Sequence, residues 1–226
     1  MKTESCLAIT GKVESRPYID LTRQVLEQFD ADPDHPGTRM IHSPGYITVE
    51  GDWSNGALFM AANHLNVDPG LEIHGLNELS VQGDRAAAHW IPKLCHENCT
   101  IDASDIPDLV PILSVTAAAK YGAVFTNIQR LRIKESDRVA STVAMVRNLG
   151  GMAEASENTL TVYGTGLTGG TVDTVNDHRI AMSAAIASTV CKQDVVILGA
   201  ECVHKSYPKF WEEFSRLGGN YEQYLW

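Results

Sequence analysis

No apolar run in the 226 residues approaches the roughly 20 needed to cross a bilayer, so no helical membrane span is expected. The opening residues, MKTESCLAITGKVES, lack the apolar segment of a secretory signal, and a cytoplasmic location is expected. Cysteine is sparse. Cys6, Cys95, Cys99, Cys191 and Cys202 form an odd, scattered set, which argues for idle thiols over a disulfide framework. Cys95-His96-x-x-Cys99 has no second ligand pair at a zinc spacing, so no metal is expected there. Positive charge is also short: 18 Lys+Arg against 28 Asp+Glu leave a net charge of −10. The surface as a whole therefore repels nucleic acid, and neither nucleic acid nor membrane is an expected partner. Any anion-binding site must come from basic residues gathered locally.

What is present is enough hydrophobic sequence, 44% of residues, to build a real core. Two kinds of segment alternate. The first is a short β-type run, a polar or basic turn, then an amphipathic helix. It appears as CLAITGKV followed by SRPYIDLTRQVLEQF (6–29), and as LEIHGL (71–76) followed by GDRAAAHWIPKLC (83–95). It returns as AVFTNI (123–128) before KESDRVASTVAMVRNLGG, and as DVVILGA (194–200) before KSYPKFWEEFSRLGG. Val139, Val143, Val146 and Leu149 share one helical face, as do Tyr207, Phe210, Trp211, Phe214 and Leu217. Leu-Gly-Gly closes two of these helices, a natural C-terminal stop.

The second kind of segment is a helix rich in small apolar residues and opened by an acidic one. GDWSNGALFMAANHL (51–65), IPDLVPILSVTAAAKYG (106–122) and NDHRIAMSAAIASTV (176–190) belong here. Their apolar residues are not confined to one face, which predicts burial. TLTVYGTG and GTVDTV add further strand-like insertions, and the uneven spacing speaks against a solenoid. The expected fold is α/β (α+β): three similar units, with buried helices inside and sheets and amphipathic helices outside. Residues 1–45 hold one strand–helix unit and a Pro/His/Gly-rich stretch, DADPDHPGTRMIHSPG, that reads as a linker. One such unit cannot cover both faces of a sheet, so the start reads as a cut through a larger protein.

Chemistry-bearing residues collect where the chain enters these helices, a place that already favours anions. RLRIKESDR (130–138) places Lys134, Glu135 and Arg138 around a helix expected to open at Ser136. Asn176-Asp177-His178-Arg179 heads an otherwise apolar helix, where the arginine must find an anion or stay solvated. Lys205-Ser206 follows the last strand as Lys134-Glu135 follows an earlier one, and Ser15-Arg16-Pro17-Tyr18 follows the first. Asp108 heads the second apolar helix, as Asp52 and Asp177 head the others, and a helix cap is the plainer role for Asp52. Converging helix ends would set Lys134, Arg138, Arg179 and Lys205 as a cationic floor around Asp108 and Glu135. Such a floor suits a substrate with phosphate and carboxylate groups.

RLRIKESDR and NDHRIAM together resemble the two signatures of the 5-enolpyruvylshikimate-3-phosphate (EPSP) synthase family. SRPYIDLT, VEGDWSNGALF, IPDLVP and AECVHKSYPKFW fall in that family's order. The resemblance covers essentially the whole chain and implies a lobe of three repeated βαβαββ units spanning 46–226. Residues 1–45 would be the remnant of the other lobe plus a linker. It implies transfer of enolpyruvyl from phosphoenolpyruvate to the 5-hydroxyl of shikimate 3-phosphate, with release of phosphate and no metal or organic cofactor. In it, Asp108 would be the base at the 5-hydroxyl, Lys134 would bridge the substrates, and Glu135 would handle protons at the enolpyruvyl carbon. Arg138, Arg179 and Lys205 would bind phosphoenolpyruvate with His178 nearby. Ser15, Tyr18 and Arg130 would contact shikimate 3-phosphate together with Asp108 and Lys134. The family's first half is absent from the sequence. The N-terminal half of such an enzyme is therefore an expected partner, and the chain alone is expected to be inactive. Some members carry Asn in place of Arg130 and Lys in place of Arg16. The related UDP-N-acetylglucosamine enolpyruvyl transferases lack the KESDR and DHR pair, and a non-catalytic module would not need Asp108, Glu135 and Lys205 together.

Overall fold

A computed structural model describes residues 10–11, 13–34, 40–66 and 70–224. Three helices form its centre: α2 (Trp53–Leu65), α4 (Val110–Ala119) and α6 (His178–Ser188). Every residue of α6 from His178 to Ala187 is buried, as is every residue of α4 from Val110 to Ala118. Small side chains explain the arrangement. Alanine, serine and glycine let helices approach closely, and no face is left polar enough to prefer water. Asp52 caps α2, accepting from the Ser54 and Asn55 N–H groups, so the plainer reading of that residue fits.

Around this centre lie α3 (Ala87–Leu94), α5 (Arg138–Asn148), α7 (Phe210–Arg216) and two sheets. The larger sheet runs β1-β2-β4-β3, from β1 (Cys99–Asp102), β2 (Ala123–Thr126), β3 (Met152–Ala155) and β4 (Thr159–Tyr163). β1 and β2 are parallel, while β4 is antiparallel to both of its neighbours. With α4 and α5 as crossovers, 99–163 makes one full βαβαββ unit. The unit that follows, third along the chain, keeps the parallel pair β5 (Gly170–Asp173) and β6 (Val195–Leu198), with α6 between them and α7 after. Tyr207, Phe210, Trp211 and Phe214 pack ring against ring, and Phe210 is fully buried at their centre.

The first unit departs from expectation. LEIHGL forms no strand: its residues alternate half-buried and exposed, but only the Gly51 N–H to Gly75 carbonyl bond (2.8 Å) ties it to the 46–51 segment. The pleat-like alternation is there because Leu76 packs on Gly56, yet no neighbouring strand supplies a ladder. Most of the strand expected at 6–13 lies outside the described residues. α1 (Arg16–Gln28) forms as expected but buries none of its residues. It is fastened at its start, where Ser15 N–H bonds the Ser104 carbonyl and Arg16 N–H bonds Asp105 Oδ1, both 3.1 Å. α5 is capped by Asp137, whose carboxylate accepts from Ala140 N–H, one residue later than expected. No helix among the described residues is long and apolar enough to cross a membrane.

β4 ends where its chain presses on the end of α4. A Cβ at Gly164 would lie 2.2 Å from the Lys120 carbonyl oxygen and 2.7 Å from the Tyr121 carbonyl carbon. Both are backbone atoms with no rotamer to yield. Gly164→Ala is therefore expected to lower unfolding free energy by about 1–3 kcal/mol, read from the urea midpoint at unchanged slope.

Candidate functional site

The N-terminal ends of α2 and α6 and the turn before α4 meet at one place, and the start of α5 joins them. Arg138, the first residue of α5, is 1% exposed and reaches three carboxylates. Its Nε donates to Asp177 Oδ2 (2.9 Å), its Nη1 to Asp108 Oδ1 (2.7 Å) and its Nη2 to Glu135 Oε2 (2.5 Å), with a longer bond to Asp177 Oδ1 (3.3 Å). Burial alone lowers the pKa of the guanidinium. The Asp177 hydrogen bond and the three carboxylates outweigh that and raise its pKa. The resemblance gives Arg138 a ligand contact, whereas here its donors are committed to the protein's own carboxylates.

Asp177 is fully buried and does two jobs. It caps α6 by accepting from Arg179 N–H (3.0 Å), and it takes the Ser136 hydroxyl (3.1 Å) along with Arg138. Asp108 is surrounded by cations: Lys134 Nζ lies 3.6 Å from Oδ1 and Arg179 Nη2 3.5 Å from Oδ2. Burial pushes the Asp108 pKa up, but Arg179, Arg138 and Lys134 together carry it below the usual carboxylate range. Glu135 is held likewise. Burial raises its pKa, yet the bond from Lys205 Nζ (3.0 Å) and the Arg138 charge bring it down. Both carboxylates are thus anions paired with four cations.

The expected site residues fall as follows. Lys134, Arg138, Arg179 and Lys205 all touch Asp108 or Glu135. Tyr18 joins them by donating its hydroxyl to Asp108 Oδ2 (3.3 Å), with Lys134 Nζ 5.8 Å from its ring centre. Its pKa is raised, first by burial and then by Asp108. Arg179 is buried. It donates to Asn55 Oδ1 (3.1 Å) and Ser54 Oγ (2.7 Å), while its Nε has no protein partner among the described residues. His178 is buried at the head of α6, and burial, then Arg179, lowers its pKa and favours neutral imidazole. Ser15 is buried in a left-handed backbone conformation (φ 55°), and its Oγ has no partner among the described residues. Arg130 stands apart: its exposed guanidinium bonds the Glu14 carbonyl (3.1 Å).

Two residues escaped the sequence reading. Asp177 was read only as a helix-opening acid, although an Asp-x-Arg start to a wholly apolar helix could have signalled a buried ion pair. Asp84, in the turn that opens the Gly83–Ala86 single-turn helix, gave no signal beyond a turn. It lines a cavity of 270 Å³ together with Tyr18, Ser54, Gln82, Asp108 and Arg179.

The arrangement of central helices, outer helices and sheets is the EPSP synthase fold. Two solved EPSP synthase structures from Acinetobacter baumannii superpose with TM-scores of 0.71 and 0.72 at 22% and 20% identity. They cover 88% and 90% of this chain, and 54% and 55% of theirs. The family model described as EPSP synthase (3-phosphoshikimate 1-carboxyvinyltransferase) matches residues 1–214, and the chain belongs to this family. Relatives named 3-phosphoshikimate 1-carboxyvinyltransferase include those of Clostridium kluyveri and Clostridium acetobutylicum. Each is 36% identical, over 98% and 99% of this chain respectively. The chain spans 57% of the length of both.

Asp108 and Glu135 are bound more tightly as anions than in the unfolded chain. Their stabilising contribution is complete above their unfolded pKa values, near 4, and is lost as pH falls through the lower folded values. Acid titration of stability is expected to fall steeply below about pH 4, and Glu135→Gln should make that fall shallower. Tm measured from pH 3 to 7 checks this.

Proposed function

We propose that the chain supplies the C-terminal lobe, residues 46–226, of a cytoplasmic enzyme that moves enolpyruvyl from phosphoenolpyruvate to the 5-hydroxyl of shikimate 3-phosphate. Residues 1–45 are the end of the other lobe and the linker from it, and the N-terminal half of the enzyme is the partner that completes the site. The observation that carries this reading is the set of four cations on two carboxylates, drawn from two successive units, in a protein of net charge −10.

In the reaction, the 5-hydroxyl oxygen bonds to C2 of phosphoenolpyruvate, the hydroxyl proton leaves to Asp108, and C3 takes a proton that partly exposed Glu135 relays from solvent, becoming a methyl group. In elimination the proton held by Asp108 passes to the departing phosphate, and the one Glu135 takes back returns to solvent. Glu135 removes a methyl proton, the double bond re-forms, and the C–O bond to phosphate breaks, with inorganic phosphate leaving. Lys134, Arg179 and Lys205 carry the charge that develops on the phosphate oxygens. Arg138 keeps Asp108 and Glu135 aimed into the same space, a positioning role.

Asp108, held anionic by its cations, is a weak base in the unliganded lobe. Substrate phosphate and carboxylate would compete for Arg179 and Lys134, loosen their hold on Asp108 and raise its basicity as the site closes. Tyr18, bonded to this carboxylate, and Ser15 at the start of α1 would be contacts for shikimate 3-phosphate, with His178 near the phosphoenolpyruvate end. Arg130 would need to release Glu14 to join them. The chemistry calls for no metal or organic cofactor.

The test is phosphate release from shikimate 3-phosphate and phosphoenolpyruvate by the purified chain, with and without a separately expressed N-terminal half. Turnover is expected only on mixing, and Asp108→Asn or Glu135→Gln should lower kcat by about 10²–10⁴-fold with the fold intact by circular dichroism. Turnover by the chain alone, or none with a folded partner half, contradicts the proposal.

A further inference from the structure

Asp84 occupies a place where a carboxylate has little reason to be. It is 7% exposed, and its Oδ1 has no hydrogen-bond partner among the described residues. The turn that carries it is pinned on both sides. Gln82 Nε2 donates to Glu50 Oε1 (2.7 Å) and the Gly51 carbonyl (3.0 Å), and Gln82 Oε1 accepts from Trp53 N–H (3.0 Å). A Cβ at Gly83 would lie 2.4 Å from the Asp105 carbonyl oxygen, so the chain there is pressed against its neighbour. Asp84 cannot swing out to water without breaking this clasp.

The groups facing it are Asp108 and Asp52, Arg179 and Lys134, and the Tyr18 hydroxyl, whose proton is held tightly. Arg179 matters most, because it lines the same cavity and keeps a buried Nε–H with no acceptor. Its other bonds run to the neutral oxygens of Ser54 and Asn55 and, at 3.5 Å, to Asp108. An ionised Asp84 would outcompete two neutral acceptors for a guanidinium, since charge-assisted bonds are about twice as strong.

We propose that Asp84 is a positioning residue that works as a neutral carboxylic acid: uncharged, it leaves Arg179 on Ser54, Asn55 and Asp108 with donor capacity for a substrate anion, and ionised it draws Arg179 to itself. This rests on the reading of Arg179 as an anion-binding group. The electrostatics agree with the geometry. Burial, then the Asp108 charge, push the Asp84 pKa up to about 7, against the opposing pull of Arg179 and Lys134. The neutral form therefore dominates below that pH, and affinity for the anion weakens as pH rises through it.

Two readouts decide the matter. In the 226-residue chain, the Asp84 side-chain carboxyl is followed by ¹³C NMR from pH 4 to 9, assigned through bonds so that no substitution is needed, and the Arg179 Nε resonance is followed alongside. Asp84 is expected to titrate near 7, with the Arg179 signal moving in step in the unsubstituted chain and standing still in Asp84→Asn. In the enzyme reconstituted with its N-terminal half, KM for phosphoenolpyruvate should climb by up to about tenfold per pH unit above 7, and Asp84→Asn should flatten that climb with kcat little changed. A carboxyl titrating near 4, an Arg179 signal indifferent to Asp84, or a KM profile unaltered in Asp84→Asn each overturns the proposal. Failure of the enolpyruvyl reading is separate: it would appear as no turnover on reconstitution, while the two NMR titrations would still decide whether Asp84 governs Arg179.

Discussion

Arg138 carries a charge at 1% exposure, and three carboxylates from different parts of the chain close around it. Taking such an ion out of water is costly, and an arginine left there without partners would open the core. Asp177 at the head of α6, Asp108 before α4 and Glu135 before α5 offset that cost, each at a cost of its own that the guanidinium relieves. The dependence is mutual. Fixing the guanidinium fixes where two helix starts and one turn must stand, so the cluster works as a registry device at the meeting point of the second and third units. Arg179 extends the device to the first unit through Ser54 and Asn55.

The same cluster turns the lobe's architecture into chemistry. Helices of small residues pack closely, and polar groups gather where the first turns of α2 and α6 meet the turn before α4. Carboxylates kept anionic by excess cations are poised for a ligand that brings its own negative charge, because such a ligand trades places with them. Lys205, more than half exposed, and Lys134, beside Tyr18, line the open side of this arrangement.

Much of this was legible in the sequence. The three central helices announced themselves through unbroken small apolar residues behind an aspartate. α5 and α7 did so through one apolar face and a Leu-Gly-Gly end. The short strands were harder. Met152–Ala155 reads MAEA, poor in β-formers, and becomes a strand only by pairing with β4. Cys99–Asp102 follows a polar turn and is recognised by its buried–exposed alternation and its partner β2. LEIHGL failed in the opposite sense, with the right pattern and no ladder. At the site, the motifs gave the names of the cations and of two carboxylates but not who holds whom. That Arg138 spends its donors on Asp177 and Asp108, 39 and 30 residues away, is a fact of tertiary structure. Asp84 was invisible for the same reason, since a Gly-Asp turn takes its character from the distant groups packed against it.

The account's central claim is that Arg138 and Asp177 are energetically one unit, and a double-mutant cycle of Arg138→Leu and Asp177→Leu, read by urea unfolding of the chain, tests it most directly. Arg138→Leu strands the fully buried Asp177, and Asp177→Leu takes from Arg138 its innermost carboxylate, each expected to cost about 3–5 kcal/mol. The double substitution is expected to cost clearly less than the sum of the two singles, because the loss of the Arg138–Asp177 pair is then counted once. Losses that simply add would show that the two residues act independently and would contradict the claim.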